Sequence, residues 1–179
     1  MTIDRGAVVQ AAIIEAVFCV VGVLAGVVWQ WLWTPAMGGV LDHKWAPADA
    51  IALSEQFSST GWYVVVGAVA GLVTGAVVAL FLDRAPLLTL AAVLVGSALA
   101  AWLMYLVGTA LGPADPTVLA KTAADGAMIP EQLTVPGKSP YIAIPVGALI
   151  GVALVFLGTS VRRTSHEVSA DQSVPLPPS

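Results

Sequence analysis

Glu15 is the one charged residue inside any long apolar run of this sequence. Along a helix that begins at Gly6 it lies roughly 13–15 Å from the start, at 1.5 Å per residue. That is well inside a hydrocarbon layer about 30 Å thick. A charge near the centre of such a layer costs about 2.5–3.5 kcal/mol on insertion scales, which makes the residue a functional candidate by default. Three readings are open. Glu15 could exchange protons for a transport cycle, because desolvation disfavours the charged form of a carboxyl. It could be a protonated structural group bonded to Ser97, Thr89, Thr74 or a neighbour's carbonyl. It could also sit at the membrane edge and snorkel, with the true entry of the helix near Ile13.

The other reactive side chains form no constellation. Asp42-His43 could be an acid–base pair or part of a metal site, but no second His or Cys stands at ligand spacing. A solvated loop pair is the plainer reading. Cys19 is the only cysteine, so no internal disulfide, CxxC pair or zinc spacing exists. It reads as a small apolar filler. HExxH, GxSxG, a Walker lysine loop and CxxCH are all missing. No catalytic residue, metal or cofactor is expected, and the chain reads as a non-enzyme.

The elements that would position Glu15 are set by composition. The 179 residues are 58% hydrophobic and 10% charged, where an ordinary soluble domain is about 25% charged. Too little polar surface exists to cover a soluble globule. A net charge of -4 gives no basic footprint for nucleic acid. Four apolar runs, 6–33, 62–82, 87–111 and 141–157, are long enough or nearly so to span hydrocarbon. They are apolar all round, so helices are expected rather than the alternating strands of a barrel. The first run is too long for a signal-peptide core. It ends in Gln30-Trp31-Leu32-Trp33, an aromatic anchor. Trp62-Tyr63 and Tyr141 read as similar anchors opening the second and fourth runs. The expected architecture is an all-α bundle of four transmembrane helices over 1–161, followed by a disordered tail over 162–179.

Arg5, Arg84, Arg162 and Arg163 flank the runs on one side. Lys44, Lys121 and Lys138 are spread over longer loops on the other. The positive-inside rule then puts both termini in the cytoplasm and loops 34–61 and 112–140 outside it. In the first loop a short helix from Pro47 to Phe57 is expected, with Pro47 in the first turn. In the second, Asp115 caps a helix from Pro116 to Asp125 that Gly126 would stop. The prolines at 130 and 136 then favour a fixed, extended path. Together the loops would make a lid over the bundle, a docking face for a partner, or both.

Lipid tails are as apolar as leucine, so helices in a bilayer associate by close approach over small residues. Gly22 and Gly26 supply such a row in the first run, Gly67, Gly71 and Gly75 in the second, and Gly147 and Gly151 in the fourth. Each row can serve the chain's own bundle or receive a foreign helix. Membrane lipids and other transmembrane subunits are the expected partners.

One carboxylate in the first of four helices resembles the arrangement of small multidrug-resistance exporters, although their tight loops differ from the long ones here. The stretch Arg5-Gly6-Ala7-Val8-Val9-Gln10-Ala11-Ala12-Ile13-Ile14-Glu15, with Gly22-Val23-Leu24-Ala25-Gly26, Gly61-Trp62 and Leu111-Gly112-Pro113, resembles a family of uncharacterised small four-helix membrane proteins of actinobacteria. That resemblance covers most of 5–160. It implies an accessory subunit of a larger inner-membrane complex, such as a mycobacterial Mce-type lipid transporter, and carries no site residues with it. A small proton-coupled transporter using Glu15 and a subunit of a respiratory supercomplex are the alternatives.

Overall fold

The computed structural model describes residues 5–48, 57–81 and 86–171. Four long helices dominate: α1 (Arg5–Leu32), α2 (Ser58–Phe81), α3 (Pro86–Leu111) and α5 (Ala143–Asp171). A short helix, α4 (Pro116–Ala120), and a 3-10 turn (Ser139–Ile142) lie between the last two. Each long helix contains a stretch long and apolar enough to cross a membrane. Inside lipid the backbone must satisfy its own hydrogen bonds, and the prolines of these helices, Pro86 and Pro145, stand in first turns, where no intrahelical N–H bond is lost.

The buried residues of α1 form a row: Gln10, Ile14, Phe18, Gly22, Gly26 and Trp29. Those of α2 do the same, with Ser59, Tyr63, Gly67, Gly71, Gly75 and Ala79. Steps of four residues make the ridges that interlock between packed helices. Accordingly α1 packs chiefly on α3 and α2 on α5, and these two pairs meet more lightly along α1–α2 and α3–α5. The remaining faces of the helices are covered with exposed Val, Leu and Ile, as a lipid-facing surface requires.

The all-α expectation is corrected at one end of the bundle. Strands β1 (Met37–Leu41), β2 (Lys44–Pro47) and β3 (Met128–Pro130) form an antiparallel sheet in the order β2-β1-β3. Its register pairs Leu41 with Lys44 and Gly38 with Ile129, so the two long loops are one unit on one side of the bundle. A two-stranded hairpin alone is barely stable in water. Here β3 supplies a third strand, and Val40, Ala120 and Ile129 close a small apolar core beneath α4. Gly38 leaves room for the Trp45 ring, whose Nε1 donates to the Ile129 carbonyl at 3.0 Å.

Several boundaries also differ from expectation. Pro47 ends a strand instead of starting a helix, and residues 49–56 of the expected 47–57 helix lie outside the described residues. Helix α4 stops at Ala120, short of Asp125. Its cap is as expected, with the Asp115 carboxylate accepting from Thr117 N at 2.8 Å and Thr117 Oγ1 at 2.7 Å. The segment expected to be disordered from 162 is helical through Asp171, and 172–179 lie outside the described residues. Polar residues can prolong a helix already nucleated by its apolar turns, since each added residue gains a backbone bond without a new nucleus.

Candidate functional site

All seven glycines singled out above sit at close contacts within the chain. A Cβ on Gly22 would lie 2.6 Å from the Ala100 carbonyl oxygen, and one on Gly26 2.7 Å from that of Met104. Gly71 and Gly75 are pressed against the carbonyls of Ile144 and Ala148. Gly147 and Gly151 are pressed against those of Ala68 and Leu72, which makes the α2–α5 contact reciprocal. Gly67 faces the Ile144 side chain, 3.1 Å from its would-be Cβ. None of these rows is open to a foreign helix.

Close approach also brings together residues that the linear pattern did not connect. Gly108 on α3 makes room for the Trp29 ring. Trp29 meets Tyr63 edge to face at 5.0 Å, Tyr63 lies 5.6 Å from Tyr141, and Tyr141 lies 5.5 Å from Tyr105. The four rings come from α1, α2, the 3-10 turn and α3, and cross the bundle under the cap. Tyr63, expected at the membrane interface, is fully buried, while its neighbour Trp62 is 40% exposed. A helical row of Ser59, Tyr63 and Gly67 marked that burial, but aromatic residues at a helix opening signal an interface just as well.

The cap is tied to this layer. Trp29 Nε1 donates to the Ser59 carbonyl at 2.8 Å, and the Ser59 hydroxyl donates to the Thr134 carbonyl at 2.8 Å. Leu133 and Val135 on either side of Thr134 join the same apolar core as Trp29, Trp33 and Tyr63. The second loop therefore inserts into the mouth of the bundle as a lid.

Toward the opposite end of α1, the Gln10 amide donates to Thr89 Oγ1 at 2.8 Å, a buried bond between α1 and α3. One and a half turns further along, Glu15 lies on the seam of the same two helices. Its carboxyl lies over Gly96, with Oε2 3.1 Å from where a Gly96 Cβ would be, and the Phe18 side chain lies over the same glycine. Among the described residues no hydrogen bond or ion pair reaches it. The hydroxyls that could have bonded it are used elsewhere. Thr89 bonds Gln10, Thr74 donates to the Ala70 carbonyl at 2.7 Å, and Ser97 donates to the Leu94 carbonyl at 3.1 Å.

Glu15 is partly exposed, and the grooves along the α2–α5, α1–α2 and α3–α5 seams do not include it. Asp42 and His43 are the two central residues of the β1–β2 turn, with φ of 48° and 58°. Two positive φ values in a two-residue loop match the right-handed twist of the strands. Among the described residues no group of three His, Cys, Asp or Glu could hold a metal. Cys19 is half-buried and free. What the arrangement offers chemically, among the described residues, is thus a carboxyl on an outer seam of a long apolar helix. Compared with known proteins, the chain matches no family model, no curated relative and no solved structure.

Proposed function

We propose that this chain is a non-enzymatic accessory subunit of a larger inner-membrane assembly, docking a partner helix across the α1–α3 seam at Glu15. The observation that carries the reading is a carboxyl well inside a long apolar helix with no hydrogen-bond or ion-pair partner among the described residues. Ionisable residues at that depth almost always face a protein interior or a water-filled cavity and pair there. For Glu15 the missing enclosure comes from outside: a neighbouring transmembrane helix bearing a hydroxyl, amide or basic side chain. Each glycine row is already filled from within the chain, so that partner meets Glu15 on a surface of β-branched and leucine side chains.

The resemblance of residues 5–160 to small actinobacterial membrane proteins makes an Mce-type envelope lipid transporter the assembly of choice. Both termini then face the cytoplasm and the cap lies outside it. Transport through Glu15 by this chain alone has less support, because Glu15 lines none of the grooves along the α2–α5, α1–α2 and α3–α5 seams.

Affinity purification of the full chain from native membranes in mild detergent tests the reading. A stoichiometric transmembrane partner is expected, and Glu15→Leu should release it. Haem absorbance in the purified complex would identify a respiratory assembly instead of a lipid transporter. Recovery of the wild-type chain alone, or unchanged recovery of the partner with Glu15→Leu, removes the proposal. For the orientation, single cysteines at Trp45 and Lys121 should both react with an impermeant reagent applied outside intact cells.

A further inference from the structure

A groove of about 590 Å³ follows the outer side of the α2–α5 contact. Its floor exists because Ala68, Ala143 and Gly147 are small. The residues that let the two backbones meet leave a valley above them, walled by Val64, Leu72, Val146 and Ile150. On α2 it runs from Thr60 to Leu72 and on the other side from Ser139 to Ile150. Twelve residues of helix cover roughly 18 Å, against about 15 Å for half of a 30 Å hydrocarbon core. The groove therefore has the depth of one leaflet, open to lipid along its length.

Its two ends differ chemically. The lower part is apolar. At the cap end stand Thr60, whose buried hydroxyl has no hydrogen-bond partner among the described residues, and the exposed Ser139. Lys138 directly precedes Ser139 as the residue capping the 3-10 turn, is exposed, and has no ion-pair partner among the described residues. The Lys138 cation and the exposed Ser139 hydroxyl, above a leaflet-deep apolar slot, match an anionic amphiphile with a tail one leaflet long.

We propose that the α2–α5 groove is a binding site for one anionic phospholipid of the cap-side leaflet. An acyl chain lies along Ala68 and Gly147, and the phosphate sits at Ser139 and Lys138. The lipid fills the outer valley of a contact already complete on its inner side, so it is a resident of the fold. This site is on the opposite helix pair from Glu15, and its test is independent of partner docking there.

Native mass spectrometry of the detergent-solubilised full chain, titrated with phosphatidylglycerol and phosphatidylcholine of identical acyl chains, reads the site directly. One lipid retained per chain is expected, with phosphatidylglycerol preferred roughly fivefold, the contribution of one lysine near an anionic surface. Lys138→Gln should bring the ratio to about one and leave phosphatidylcholine retention unchanged. Val146→Trp, which fills the slot from its wall, should abolish retention of both lipids. Ile150→Trp does the same from one turn deeper and serves if the first variant is poorly folded, as judged by its helical circular dichroism. Equal retention of both lipids by the wild type, an unchanged ratio in Lys138→Gln, or undiminished adducts in folded tryptophan variants would each overturn the proposal. So would a lipid-free dimer that Val146→Trp dissociates, which would make a second copy of the chain the occupant.

Discussion

The Tyr63 hydroxyl donates a 2.7 Å hydrogen bond to the Ala101 carbonyl, fastening α2 to α3, two helices that otherwise barely touch. The bond crosses the bundle between its two tightly packed pairs, in the same layer as the ring contacts of Trp29 and Tyr141. It is therefore a link between pairs, whereas the glycine contacts act within them.

Tyr63→Phe keeps the ring and removes only that link. The variant should fold, keep its helix content and lose about 0.6–1.7 kcal/mol of stability, the range for polar contacts between membrane helices. Unfolding by a denaturing detergent measures it. A loss well above that range would mean that the hydroxyl supports more than the Ala101 carbonyl.

Replacement of Gly75 by alanine puts a methyl group onto the backbone of Ala148. Backbone cannot rotate away as a side chain can, so α2 and α5 must separate. A destabilisation of about 1–3 kcal/mol is expected for such overpacking. Gly61→Ala is the control, since nothing lies within 4 Å of a Cβ there. With no clash to offset alanine's better helix propensity, it should be neutral or stabilising by up to about 1 kcal/mol. Equal behaviour of the two variants in the same unfolding assay would contradict the packing described.

Glu131 tests the cap through pH. It follows β3, is partly buried, and its amide donates to the Ala36 carbonyl at 2.8 Å. Burial holds its carboxyl above the usual carboxylate range. A raised value in the folded state means that folding favours the protonated form. Glu131's contribution to the cap is then full below the ordinary carboxyl value of 4.5 and is lost as pH rises through the higher folded value. Relative to Glu131→Gln at each pH, amides of β1 and β3 in the wild type should exchange alike near pH 4 and faster near pH 7. No difference at neutral pH would show that Glu131 is fully solvated.

The β1–β2 turn holds a non-glycine residue at positive φ in both central positions. Glycine enters that region without a Cβ penalty. His43→Gly should therefore stabilise the hairpin by roughly 0.5–1 kcal/mol, seen as slower amide exchange at Gly39 and Ala46, the first bonded pair beyond the turn-closing Leu41–Lys44. Added zinc should leave both wild type and variant unchanged, because Asp42 and His43 have no third ligand among the described residues.

The sequence by itself determined the four long helices, because apolar runs of that length without a strand's alternation suit only a backbone that bonds within its own segment. It also marked the rows at Gly22, Gly67 and Gly147 and the Asp115 cap, which are local steric and hydrogen-bonding choices. Glu15 stood out for the same local reason, a charge among apolar neighbours. Only the tertiary structure decided which helix fills which glycine row, and that each is filled from within. It alone joined β1 to β3, since Met128-Ile129-Pro130 is too short to carry a strand pattern and gains its bonds from residues far away in the chain. It alone showed Tyr63 to be enclosed by the bundle and left Glu15 without a partner among the described residues. Those outcomes depend on complementary surfaces meeting in space, where a contact's worth is set by the far side of the pair and not by the residue's own neighbours in sequence.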